Sequence, residues 1–76
     1  MDKKKSLVNL REGECARVTY LISNGAMRRR LQDIGLVEGT LVQCVQKNFS
    51  GDPTAYAIRG AIIALRSEDA RDVYVS

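Results

Sequence analysis

The chain contains no histidine and no tryptophan, a single proline, two cysteines, three tyrosines and one phenylalanine. Without histidine, a Ser-His-Asp or Cys-His catalytic arrangement is impossible, and the commonest general acid–base group and zinc ligand is missing. Neither GxxxxGK[ST] nor GxGxxG occurs, so the usual phosphate cradles are absent and nucleotide hydrolysis is not expected. Cys15 and Cys44 form no CxxC pair, and so small a secreted domain would carry a denser disulfide framework. The count favours a reducing cytoplasm. No apolar run approaches the roughly 20 residues needed to cross a bilayer; Ala61 to Leu65 is one of the longest.

Seventy-six residues make one domain with a thin core, since a chain of this length buries only about 60% of its unfolded surface. Hydrophobic residues at 45% and charged residues at 28% argue against disorder, and a net charge of +3 permits an anionic partner without demanding one. An enzyme would have to build its pocket from residues this core can hardly spare. The reading is therefore a non-catalytic binding module with no resident cofactor.

Residues 1–6 carry Asp2 and three lysines and lack a following apolar region, so they are expected to be a flexible basic tail and no signal peptide. Residues 7–76 form the domain. Leu7, Val8 and Leu10 are a short apolar stretch ended by a turn at Arg11 to Glu14. From Cys15 to Ile22 the chain alternates, with Ala16, Val18, Tyr20 and Ile22 on the face assigned to the core. Ser23 or Asn24 can cap a helix from about Ala26, where the ~100° step places Met27, Leu31 and Ile34 on one narrow stripe and Gly35 at the stop. Leu41 to Gln46 is a second strand, Lys47 to Pro53 a loop, and Thr54 to Arg59 with Ala61 to Leu65 a hairpin broken at Gly60. Ser67 is expected to cap a helical turn, and Val73 to Val75 closes the chain as a strand. Short strands with turns every 8 to 12 residues predict a mostly β fold, a small five-stranded SH3-like barrel with one short α-helix and a C-terminal helical turn.

Two residue groups stand out as candidate partner-binding groups. Arg28, Arg29 and Arg30 lie at about 100°, 200° and 300° on a wheel with Met27 at zero, so they ring the polar side of the helix. They are either a solvated face or a contact for an acidic protein surface; Arg28 and Arg30 can lay their stems over the apolar seam. Phe49 lies in a loop where strand alternation does not clearly bury it, so it is either open to a partner or a lid on the core. Cys44 shares a strand face with Val42 and reads as a small core residue, and Cys15 is read as structural too. A thiolate pair could hold a soft cation only if the strands brought the two together. The carboxylates show no ligand spacing, so no metal site is assigned.

Met27 to Thr40, with its Arg28-Arg29-Arg30 run and its Gly35 and Gly39, resembles the helix-and-turn segment of the FeoA family, small accessory proteins of bacterial ferrous iron uptake. Gly51 to Gly60, continuing through Ile63 to Arg66 and Asp69-Ala70, is similar to a second signature of that family, and Leu10, Gly13, Ala16 and Val18 fit its opening. Together these cover about Leu7 to Val75. The resemblance implies an SH3-like barrel in the cytoplasm, associated with a membrane through its partner, the FeoB-type iron permease with its own GTP-binding domain. Fe(II), and transition-metal binding with it, are linked to the chain only through this resemblance.

The same barrel is similar to the C-terminal domain of metal-dependent repressors, but no helix-turn-helix precedes it here. Two other functions compete. A small basic barrel could bind nucleic acid, although only four aromatics are available for stacking and no nucleic-acid partner is expected. A transition-metal sensor or chaperone would use Cys15, Cys44 or carboxylates.

Overall fold

The computed structural model describes residues 5–76. The expected tail therefore lies outside the described residues over positions 1–4, while Lys5 and Ser6, read as part of it, are in a strand. Lys5–Ser6 is a short strand, β1, paired antiparallel with Val75 and Tyr74. Lys5 Nζ donates to Glu14 Oε2 at 2.6 Å. That contact, with the Arg11 main-chain N–H on the other carboxylate oxygen, holds the Glu14 carboxyl below its usual range.

A 3₁₀ turn over Leu7–Asn9 follows, with Leu7 and Leu10 fully buried. The remaining elements are β2 (Cys15–Leu21), α1 (Gly25–Asp33), β3 (Leu41–Lys47), β4 (Thr54–Ile58), β5 (Ala61–Leu65), α2 (Ser67–Ala70) and β6 (Val73–Val75). All neighbouring strands are antiparallel, in the order β1-β6-β2-β3-β4-β5. The expected mostly β SH3-like architecture is present. Its sixth strand is the two-residue β1, too short to leave an alternation pattern.

Strand β2 belongs to both halves of the sheet. Cys15 to Arg17 pair with Leu41 to Gln43 on β3, while Val18 to Leu21 pair with Val73 to Val75 on β6. Between Val18 and Tyr20 the register slips. An extra residue in one strand inverts the alternation beyond it. Ala16 and Val18 consequently point into the core, then Leu21 does, while Tyr20 and Ile22 turn outward. Tyr20, expected in the core, is 41% exposed and stacks on Tyr74 with ring centroids 4.8 Å apart.

Helix α1 docks as its stripe requires. Leu31 is 1% exposed, and Met27 and Ile34 pack half-buried against the core. Its C-terminus closes in a Schellman motif, with the Leu36 N–H on the Leu31 carbonyl and the Gly35 N–H on the Gln32 carbonyl, both 3.0 Å. Gly35 takes φ of +107°, and a Cβ there would stand 2.6 Å from Arg59 Cδ and 3.1 Å from Ile58 Cγ2. A side chain at position 35 would have to displace the Arg59 side chain and adopt a positive φ. Arg59 and Gly60, at φ of 51° and 85°, form the two-residue turn of that hairpin.

Ser67 does not cap α2. Arg66 holds the cap position, and the Ser67 N–H donates instead to Asp52 Oδ1 at 2.8 Å. A carboxylate fifteen residues earlier in the chain does the capping.

Tyr56 is the largest fully buried side chain, and its hydroxyl donates to the Leu7 carbonyl at 3.2 Å. Burial first, and then the neighbouring Cys44, push the phenol up to about 12 from 10.0. The folded state therefore holds this proton more tightly than the unfolded chain does. Its contribution is complete below pH 10 and lost as pH rises toward about 12. Tyr56→Phe should flatten that alkaline decline in urea melts, at a cost near neutrality of about 0.5–1.5 kcal/mol for the lost hydrogen bond. Leu31→Ala should cost about 2–5 kcal/mol, most of the stability of a domain this size. An unchanged denaturation midpoint would show that α1 is not packed as described.

Candidate docking surface

The loop between β3 and β4 is held by its own main chain and short polar groups. The Asn48 N–H donates to the Pro53 carbonyl at 3.3 Å, the Gly51 N–H to the Asn48 carbonyl at 2.7 Å, and Ser50 Oγ to the Asp52 carbonyl at 3.1 Å. Gly51 supplies a φ of +88°. Asp52 latches the loop to α2 through the Ser67 N–H. These bonds engage the residues around Phe49 and leave its ring wholly in water, at 107% relative exposure. A phenylalanine so placed makes no contribution to the core. Of the two positions considered for Phe49, it occupies the open one and is no lid on the core.

Phe49 borders a depression of about 340 Å³, lined also by Gln46, Lys47, Asn48, Pro53, Ala55 and Ala64. A second depression, of about 540 Å³, is lined by Met27, Arg30, Leu65, Arg66, Glu68 and Asp69, and again by Pro53 and Ala64. Sharing Pro53 and Ala64, the two form one surface that includes Phe49 in its more apolar part and Arg30 in its more polar part. Lys47, Arg30 and Arg66 face it, against Glu68 and Asp69.

The three arginines separate. Arg28 Nη1 donates to the Leu21 carbonyl at 3.1 Å and so ties α1 to the end of β2. Arg29 is exposed and borders neither depression, and only Arg30 reaches the surface that holds Phe49. Sequence reading missed Lys47, Pro53, Ala64 and Arg66. Residue type could not have marked them, because only the packing of α1 beside β5 and the β3–β4 loop makes them neighbours.

The cysteines do not converge. Cys44 is fully buried and Cys15 exposed, on opposite faces of the β2–β3 sheet, so the thiolate pair considered for a soft cation is not assembled. Among the described residues no group of three His, Cys, Asp or Glu side chains could hold a metal ion. No helix among them is long and apolar enough to cross a membrane.

The FeoA domain model matches residues 5–76. The chain belongs to the FeoA family. The family is linked to ferrous iron transport, and its members are accessory SH3-like domains and not a known enzyme family. An FeoA-like protein from Clostridium acetobutylicum is 30% identical, with a TM-score of 0.88, covering 100% of this chain and 88% of that one. FeoA from Chlorobium tepidum is 33% identical, with a TM-score of 0.85 over 92% of this chain and 67% of that one. Stenotrophomonas maltophilia FeoA, solved with zinc and described as an SH3 domain protein, is 31% identical, with a TM-score of 0.83 over 93% and 88%. A manganese-dependent transcriptional repressor shares the fold alone, at 19% identity and a TM-score of 0.87 over 100% of this chain and 42% of its own. No curated protein matches the chain.

Within this FeoA-family domain the two thiols should react very differently. The thiolate is the reactive form, and burial pushes the Cys44 thiol up from its ordinary value. Iodoacetamide under native conditions at pH 8 should add one carbamidomethyl group, at Cys15, and two after denaturation, counted by intact mass. Equal rates at both positions would contradict the buried placement of Cys44.

Proposed function

We propose that the chain is a non-catalytic accessory and regulatory subunit of bacterial ferrous iron uptake. It acts in the cytoplasm by docking on the GTP-binding part of a FeoB-type permease. Fe(II) is the permease's cargo in this reading, and the chain associates with the membrane only through that partner.

The observation that carries the reading is the joined surface running from Phe49 over Pro53 and Ala64 to Arg30, in a chain of the FeoA family. Transferring a phenylalanine side chain from water to an apolar site is favourable by about 1.5–3 kcal/mol. A fully exposed ring on a hydrogen-bonded loop is therefore suited to be an anchor, because little ordering remains to be done when it binds. Arg29 and Arg30 supply charge that steers an acidic surface and sets orientation more than raw affinity. Arg28 is the least available of the three, since the Leu21 carbonyl already holds it.

The test is a set of binding isotherms with the purified GTP-binding part of the permease at two salt concentrations. Phe49→Ala should weaken binding about tenfold or more, as expected for an aromatic anchor. Arg29→Glu and Arg30→Glu should weaken it and reduce its salt dependence, and added salt should weaken the wild type in the same direction. Melts should stay within about 0.5 kcal/mol, because all three positions are on the surface. Wild-type affinity in both Phe49→Ala and Arg30→Glu would place the docking surface elsewhere.

A further inference from the structure

The joined surface ends on a strand edge. Strand β5 is the last in the hydrogen-bonded order, so one side of its main chain faces no neighbour. A two-residue turn makes Ile58 and Ala61 the first hydrogen-bonded pair of the hairpin, and by alternation Tyr56–Ile63 and Thr54–Leu65 are the next bonded pairs. The N–H and C=O groups of Ile62 and Ala64 then point away from β4. Among the described residues, no main-chain hydrogen bond from a turn, loop or other strand reaches either one.

Natural sheets blunt such edges with lysine, proline or brevity. The opposite edge, β1, is two residues long and carries Lys5. Strand β5 has five residues, Ala-Ile-Ile-Ala-Leu, with neither charge nor proline. Its Ile62 is 64% exposed, beside the small outward side chains of Ala55, Ala57 and Ala64. What completes an open edge of this kind is another extended main chain.

Charge selects among the possible strands. Arg30 and Arg66 stand at the C-terminal end of β5, where Ala64 and Leu65 enter the second depression. Neither has an ion-pair partner among the described residues. A second copy paired antiparallel on β5 would bring Arg66 beside the Arg59–Gly60 turn of the other copy, cation against cation. An acidic segment meets two guanidiniums that hold no ion pair, and the opposing charge it must clear is that of Glu68 and Asp69 in the same depression.

We propose that β5 receives, by antiparallel strand addition, an extended segment of a protein partner that carries acidic residues just before its paired stretch. The antiparallel sense puts the segment's N-terminal end against Arg30 and Arg66. The proposal rests on the docking function, and its first arm uses a peptide without the permease, so each can fail alone.

The probe is a capped peptide, Glu-Glu-Thr-Val-Thr-Val-Thr, titrated into the ¹⁵N-labelled full chain. Saturable shifts are expected along β5, with amide exchange slowed at Ile62 and Ala64 and unchanged at Ile63, whose N–H is already paired. Lysines in place of the two glutamates should weaken binding about tenfold, as should Arg66→Glu in the protein. Ile62→Pro removes an outward N–H without touching a β4 pair and should abolish binding. Should that variant fail to fold, a peptide N-methylated on the amides that face β5 gives the same comparison on the wild-type chain. The absence of saturable shifts, shifts mapping to another face, or equal affinity for the N-methylated peptide overturns the proposal. So does concentration-dependent protection of Ile62 and Ala64 without peptide, which would make a second copy the occupant. If the permease fragment binds Ile62→Pro as it binds the wild type, strand addition is refuted and the docking function stands.

Discussion

Strand β2 has to pair with a neighbour on each side while wrapping a core made of few residues, and the bulge between Val18 and Tyr20 is what lets it do both. Without that slip, alternation would turn Leu21 toward water and Tyr20 toward the core. With it, the first half of the strand holds β3 and the second half holds β6. The two parts of the sheet then close on Leu31 of the helix and Tyr56 of β4. A bulge raises local twist, which is the curvature a barrel-like sheet needs at its corner.

Long-range polar contacts, few in number, fix the loops to this frame. Tyr56 reaches the Leu7 carbonyl, Arg28 reaches the Leu21 carbonyl, and Asp52 caps α2 through the Ser67 N–H. The Arg28 and Asp52 contacts satisfy main-chain groups at element ends, and Tyr56 adds a second bond to a carbonyl that the Leu10 N–H already reaches. The contact from Asp52 has the widest consequence. It anchors the loop that carries Phe49 to the element beside β5, so an exposed aromatic and an open strand edge keep a constant relation to one another. In a protein with so thin a core, an exposed phenylalanine and an uncharged edge strand are uses of apolar surface that stability does not explain.

Among the glycines, Gly35 shows best how sequence and tertiary demands coincide. Its positive φ ends the helix, and its missing Cβ admits Arg59 from the β4–β5 turn. The first demand is local and can be read from the end of an apolar stripe. The second exists only because a hairpin from later in the chain packs there.

The alternation of β2 as far as Val18, the Met27–Leu31–Ile34 stripe, the Arg59–Gly60 turn and the buried place of Cys44 were legible in the sequence, because strand and helix periods act over a few residues. The absence of histidine and of phosphate-binding loops narrowed the chemistry in the same local way. What the sequence could not decide was every case in which two distant segments compete for one position. The bulge that expels Tyr20 depends on where β6 pairs, and the cap of α2 comes from a loop fifteen residues back. The three arginines look equivalent on a helical wheel. Only the packed fold gives Arg28 to a carbonyl, leaves Arg29 in water and brings Arg30 to the surface that holds Phe49, because their neighbours come from β2, β5 and the β3–β4 loop and not from the helix itself.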